Sequence, residues 1–211
     1  MSTARRYAVA WAYLGCFAVV QVVYALLDPR AQASFVAWAS TSVANLSRDP
    51  VGCLVVSAFV TGGSAWGAAV WLPVIALGMF GANRALGNWR LALVCAVGHV
   101  VGTLVSEGIV ARRVASGALP PSYRYLTDVG PSYIVVSAVI VTLLCASPAW
   151  RVLAAVDLLF LVGVAQIFAG LSQLDVAAVG HLTAIITAAV VVPFLIRPRW
   201  PDRLRRARSG T

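Results

Sequence analysis

A serine and a histidine stand at matching positions in this chain, each a short way into an apolar run. Ser132 lies in Thr127-Asp128-Val129-Gly130-Pro131-Ser132-Tyr133, and His181 lies in Gly180-His181-Leu182-Thr183-Ala184. A serine hydroxyl becomes a nucleophile when a neighbouring base takes its proton, and imidazole is the side chain most often used for this. The pair therefore defines candidate chemistry: attack by Ser132, with His181 as general base and then as proton donor to the leaving group. That chemistry needs the hydroxyl and the imidazole within roughly 3 Å of each other.

Composition indicates where such a pair would have to work. The 211 residues are 61% hydrophobic and 11% charged, with a mean hydropathy of +0.88. Soluble domains carry about 25% charged residues, so the chain reads as a multi-pass membrane protein with almost nothing left for a soluble domain. Six segments approach the ~20 apolar residues needed to cross a bilayer: 7–27, 64–82, 91–111, 129–146, 152–171 and 176–196. The predicted fold is an all-α bundle of six transmembrane helices. Ser132 and His181 open the fourth and sixth, which enter from the same face, so they share a shallow depth. The run 51–60 is too short to span and predicts a re-entrant or interfacial element. Before it, 28–50 mixes Phe35, Trp38 and Leu46 with polar residues, as a first loop lying on the membrane surface would.

The net charge of +9 comes from sixteen arginines and no lysine. With both termini inside, Arg5, Arg6, Arg84, Arg90, Arg151 and six tail arginines make eleven on the cytoplasmic side. Arg30, Arg48, Arg112, Arg113 and Arg124 make five outside. This bias reads as an orientation signal for a protein of the cell membrane. It argues against nucleic acid as a partner, and Arg112 and Arg113 are its local exception. The organisation expected is a short cytoplasmic N-terminus (1–6), a six-helix membrane domain (7–196) and an Arg-rich cytoplasmic tail (197–211). The tail, with Trp200, would anchor on anionic lipid.

Other polar residues have plainer readings. Cys16, Cys53, Cys95 and Cys145 sit in apolar stretches without metal-ligand spacing and read as buried small hydrophobes. No metal or organic cofactor is implied. His99, Thr103 and Glu107 recur every four residues and form one stripe of the third helix, beside a small-residue stripe of Gly98, Gly102 and Ser106. The favoured reading is a tightly packed central helix with its polar groups satisfied; the other is a proton or ion path in a small transporter. Asp157 reads as structural and could pair with a nearby arginine, such as Arg84. Asp128 and Pro131 are also ordinary helix-start residues. Ala184 and Ala188, three and seven residues after His181, permit close packing on a partner such as the Ser132 helix.

Taken together, these residues resemble the rhomboid family of intramembrane serine proteases and their inactive relatives. The resemblance rests on Gly130-Pro131-Ser132 at the start of helix four and on His181 with Ala184 and Ala188 in helix six. It extends to the long first loop, to Ser57-Ala58-Phe59-Val60-Thr61-Gly62-Gly63 before helix two, and to Gly81-Ala82-Asn83-Arg84-Ala85-Leu86-Gly87 after it. It implies a six-helix core, a Ser132–His181 dyad, and transmembrane protein segments as substrates or clients in the bilayer. The chain departs from the family pattern at several places. Tyr133 replaces the Gly after the nucleophile. Gly67 and Trp71 fall where a His and an Asn would bind the oxyanion, and Asn83 replaces a Glu. Val136 falls where an aromatic would support the base, a place Tyr133 could fill from a different angle. Besides the Ser132 amide, the candidate oxyanion donors are Thr61, Ser64, Trp66 and His99, with Gly130 and Tyr133 as supporting residues. The resemblance thus implies a serine endopeptidase, or alternatively an inactive relative that binds transmembrane segments.

Overall fold

In the computed structural model, residues 3–63 and 65–196 are described. Ser64, the side chain of Trp66 and the tail from 197 onward lie outside the described residues. Among the described residues every regular element is helical: α1 (Thr3–Arg6), α2 (Ala8–Leu26), α3 (Pro29–Ala39), α4 (Val43–Leu46), α5 (Pro50–Ser57), α6 (Ala65–Leu86), α7 (Asn88–Ala115), α8 (Ser132–Cys145), α9 (Pro148–Gly163) and α10 (Val176–Leu195). Two 3₁₀ turns, Pro121–Tyr125 and Leu171–Gln173, sit in the loops.

Among the described residues, four helices are long and apolar enough to cross a membrane: Ala8–Leu26, Gly67–Leu86, Asn88–Ala115 and Val176–Leu195. The expected six crossings are not all met by length. α8 has 14 residues and α9 has 16, or about 21 and 24 Å, against a core of about 30 Å. The reason lies in where the apolar residues go. Those before Ser132 belong to a loop held by backbone pairing: Thr41 N donates to Asp128 O at 2.9 Å and Gly130 N to Ser57 O at 2.9 Å. Those after Gly163 fold into tight turns, with Gln166, Gly170 and Leu174 at positive φ, and Ile167 and Phe168 pack back onto the core.

α8 is the central helix. It touches α6, α7, α9 and α10, and Val135, Val136, Val139 and Val141 are wholly buried. A helix apolar on every side must be enclosed by other elements, and here protein encloses it. α10 packs most extensively on α7, and also on α8. The expected small-residue seam exists, but it faces α7 more than the Ser132 helix. A Cβ on Gly102 would lie 2.9 Å from Gly180 O and 3.6 Å from the Ala184 Cβ, and one on Gly98 would strike the Ser137 hydroxyl. Glycine at these two places is what lets the backbones approach.

The end of the bundle away from Ser132 is tied by amides. Asn83 donates to Arg6 O at 2.9 Å and accepts from Ala10 N at 3.3 Å, while Asn88 donates to Arg5 O at 2.8 Å and accepts from Val9 N at 3.2 Å. The first turn of α2, which has no helical partners for its amides, is satisfied this way. Asp157 does not pair with Arg84: it is buried with Oδ2 unpartnered, and Arg84 instead reaches the Tyr7 hydroxyl at 3.4 Å.

The first loop is helical too. Asp28, Ser42 and Asp49 cap α3, α4 and α5. Trp38, Val51 and Val55 stay more than half exposed, as suits an element lying at a membrane interface. The run 51–60 is therefore a short helix ending at Ser57, followed by a turn at Ala58 and Phe59.

Candidate active site

Ser132 is the first residue of α8, and its position is set by the loop before it. Asp128 N donates to the Ser40 hydroxyl at 2.9 Å, and the Thr41 hydroxyl donates to Asp128 O at 3.1 Å and to Oδ2 at 3.2 Å. Gly130 has φ +148, a conformation that disfavours any side chain, and its amide is spent on Ser57 O. Pro131 then opens the helix at φ −70. The first loop and the Ser132 loop thus form one bonded unit.

Ser132 lines a cleft with Thr41, Ser57, His99, Asp128, Gly130 and Tyr133. The cleft is too narrow to admit a water molecule. The structure therefore brings together four of the five residues singled out in the sequence: Ser132, Gly130, Tyr133 and His99. The fifth, His181, does not line this cleft and instead contacts the Tyr133 ring.

His181 is buried in α10. Its Nδ1 is 2.8 Å from Ile167 O. A carbonyl only accepts, so Nδ1 carries the proton and Nε2 carries the lone pair. Nε2 is buried and unpartnered. Tyr133 meets the imidazole edge-on, with ring centroids 5.0 Å apart and planes at 83°. Ser132 and His181 are not hydrogen-bonded to each other, and Ser132 makes no side-chain hydrogen bond among the described residues. Val136 is buried in the core, and it is Tyr133 that supports the base candidate.

Tyr133 is the link between the elements of the site. Its hydroxyl lies 3.1 Å from Asp128 Oδ2 and 3.3 Å from Val176 O at the start of α10. Its ring lies over Gly180, where an added Cβ would strike the phenol. Asp128, in the loop, has its carboxyl pushed up from 3.8 to about 6, first by burial and then by Asp175, against the lowering effect of the Tyr133 and Thr41 hydrogen bonds.

The remaining candidates fall out as follows. Thr61 is turned away from the site and donates to the Gln21 side chain at 3.0 Å, so it is not an oxyanion donor here. Trp71 packs against the core. His99 faces the first loop: its Nε2 donates to Leu54 O at 2.9 Å, with the Ser57 hydroxyl 3.4 Å from the same nitrogen. The rest of its stripe is less satisfied than expected. His99 Nδ1, Thr103 Oγ1 and both Glu107 oxygens are buried without a partner of hydrogen-bond geometry, although Glu107 lies beside the Val43 amide. Among the described residues no group of three or more His, Cys, Asp or Glu could hold a metal, and the four cysteines are free.

The part the sequence reading missed is Asp128 as a hub. A capping residue was legible; its bonds to Ser40 and Thr41, some ninety residues away, had no local signal.

A family model described as rhomboid-like protein matches residues 3–200, nearly the whole chain. The chain belongs to the family of rhomboid-like proteins. No curated protein and no solved structure matches it.

Proposed function

We propose that this chain is a rhomboid-like intramembrane serine endopeptidase whose dyad, Ser132 and His181, is unassembled at rest. The observation that carries the reading is the state of His181. With Nδ1 bonded to Ile167 O, the lone pair sits on Nε2 and meets no other group. That tautomer is the one a general base requires, held by a second hydrogen bond as in serine hydrolases generally. Ser132, at a helix start with a free hydroxyl, is the matching nucleophile, and catalytic hydrogen bonds often tighten only when substrate binds. A transmembrane segment entering beside α8 would move Tyr133 and close the gap. Ser132 would then attack the scissile carbonyl, and His181 would take its proton and return it to the leaving amine. The Ser132 amide is the candidate for holding the oxyanion, since the one N–H of His99 is spent on Leu54 O. The substrate reaches the site through the bilayer, and the protein sits in the cell membrane with both termini in the cytoplasm.

A second reading is a non-catalytic rhomboid-like protein that holds transmembrane segments of client proteins. It is favoured by the narrow cleft at Ser132, which His181 does not line, and by the absence of a hydrogen bond between the two residues. Labelling of purified protein by a fluorophosphonate, with and without a transmembrane substrate peptide, separates the two. Labelling that vanishes in Ser132→Ala and in His181→Ala supports the protease. A folded wild type that stays unlabelled in both conditions, while still retaining the peptide, establishes the binder.

A further inference from the structure

A second cavity lies behind the α10 start, separate from the Ser132 cleft. It has a volume of about 380 Å³ and is walled by Val110 and Arg113 of α7, Leu119, Tyr123 and Leu126 of the following loop, and the turn Gly170–Val176. This is within the range of sites that hold small organic groups, about 300–1,000 Å³. Its charged groups are one cation and one anion, beside the polar side chains of Tyr123 and Gln173. Arg113 spends one N–H on Gln173 O at 3.0 Å, which leaves four guanidinium donors. Asp175 spends one carboxylate oxygen on the Ala177 amide at 3.1 Å, which leaves the other. The two do not pair with each other, nor does either pair with another charge among the described residues. The turn is built to present Asp175: Gly170 has φ +77, its carbonyl accepts from Asp175 N, and a Cβ there would collide with Asp175.

The cavity's depth narrows the choice of ligand. α7 has 28 residues, about 42 Å, so it outruns a hydrocarbon core of about 30 Å by roughly eight residues. With its first turn at the interface beside Arg84 and Arg90, Val110 to Arg113 emerge at headgroup level on the other side. Tyr123 and Tyr125, exposed beside the cavity, are the aromatic residues expected at that level. Arg112 and Arg113, which break the charge bias of the loops, stand where a lipid phosphate would be.

We propose that this cavity binds the headgroup of a phospholipid bearing a primary ammonium, with the phosphate on Arg113, the ammonium on Asp175 and the glycerol and upper acyl carbons against Val110, Leu119 and Leu126. A choline headgroup cannot donate a hydrogen bond to Asp175, and a glycerol headgroup has no charge to offer it, so the site discriminates between headgroups. The proposal is independent of whether Ser132 is catalytic, because its readout is binding.

The test is native mass spectrometry of the full chain released from phosphatidylcholine nanodiscs doped with phosphatidylethanolamine or phosphatidylglycerol. The wild type is expected to retain phosphatidylethanolamine over phosphatidylcholine by about tenfold, the equivalent of about 1.4 kcal/mol. Arg113→Gln abolishes retention of both doped lipids. Asp175→Asn, which can still cap α10, keeps phosphate binding but levels the two. Equal retention of all three lipids by the wild type, or an unchanged preference in both variants, overturns the proposal. Displacement by soluble glycerophosphoethanolamine at concentrations matching the lipid would show that the membrane is not the source, and overturns it too.

Discussion

Tyr133 packs its ring edge-on against His181, with centroids 5.0 Å apart, while its hydroxyl reaches Asp128 on one side and Val176 on the other. One side chain thus connects the Ser132 loop, the first loop behind it and the start of the His181 helix. The contact also explains how a chain with Val136 at the expected support position still steadies its imidazole: the aromatic comes from the residue after the serine.

Tyr133→Phe keeps the ring and removes the hydroxyl. Asp128 Oδ2 then loses one of its two donors, and the Val176 carbonyl loses its side-chain partner. Leaving a buried polar group short of a partner costs about 1–3 kcal/mol. A lower thermal unfolding midpoint in detergent is expected. Tyr133→Leu should fall further, since it also removes the contact with His181. Equal midpoints for wild type and Tyr133→Phe would show that the hydroxyl bonds carry no stability.

Asp128 predicts a pH dependence. Its carboxyl is raised from 3.8 to about 6 in the folded chain, chiefly by burial. A group with a raised folded-state value binds more protons folded than unfolded across that window. Its contribution is full below about 4 and is lost as pH rises through about 6. The gap corresponds to roughly 3 kcal/mol at most. The groups facing it are Tyr133, Thr41, Asp175 and, across the loop, Glu107. Unfolding midpoints measured between pH 4 and 7.5 should decline for the wild type and flatten for Asp128→Asn. A wild-type midpoint that rises over this range would contradict the assignment.

Much of this architecture was legible in the sequence, for physical reasons. Apolar runs long enough to cross a bilayer mark themselves, and four of them are helices of that length. The pairing of Gly98 and Gly102 with the α10 small residues was legible as a seam, but its partner was not, because spacing on one helix says nothing about which neighbour lies opposite. α8 and α9 came out short because hydropathy cannot separate a buried loop from a span: Ile167 is as apolar in a turn as in a helix. At the site, residue types made Ser132 and His181 candidates, and the family match places the chain among rhomboid-like proteins. The contact of Tyr133 with His181 depends on a loop pinned by Ser40, Thr41 and Ser57, contacts too distant in sequence to leave a pattern.

The Gly180–Tyr133 contact offers a steric test. A Cβ at Gly180 would collide with the phenol, and one at Gly102 would lie 2.9 Å from a backbone carbonyl, whereas Gly108, on the same helix as Gly102, has nothing within 4 Å. Gly180→Ala is therefore expected to destabilise by about 1–3 kcal/mol, the usual cost of overpacking. Gly108→Ala should be neutral or stabilising by about 0.5–1 kcal/mol, since alanine favours a helix. Unfolding midpoints of the two variants give the comparison. Similar midpoints would mean that Tyr133 swings aside freely.

His99 separates a structural role from a conducting one. Its Nε2 donates to Leu54 O and so fastens α5 to α7. His99→Leu removes that donor and leaves a buried carbonyl, so amide exchange across residues 50–60 should accelerate severalfold. His99→Gln retains an N–H donor and should restore much of the protection. If the stripe of His99, Thr103 and Glu107 carried protons or ions, both variants would abolish flux in proteoliposomes whatever the exchange pattern. A rescue of protection by glutamine, with no measurable flux in the wild type, assigns the stripe to holding the first loop over the Ser132 cleft. Loss of flux in both variants would instead make the transporter reading the one to pursue.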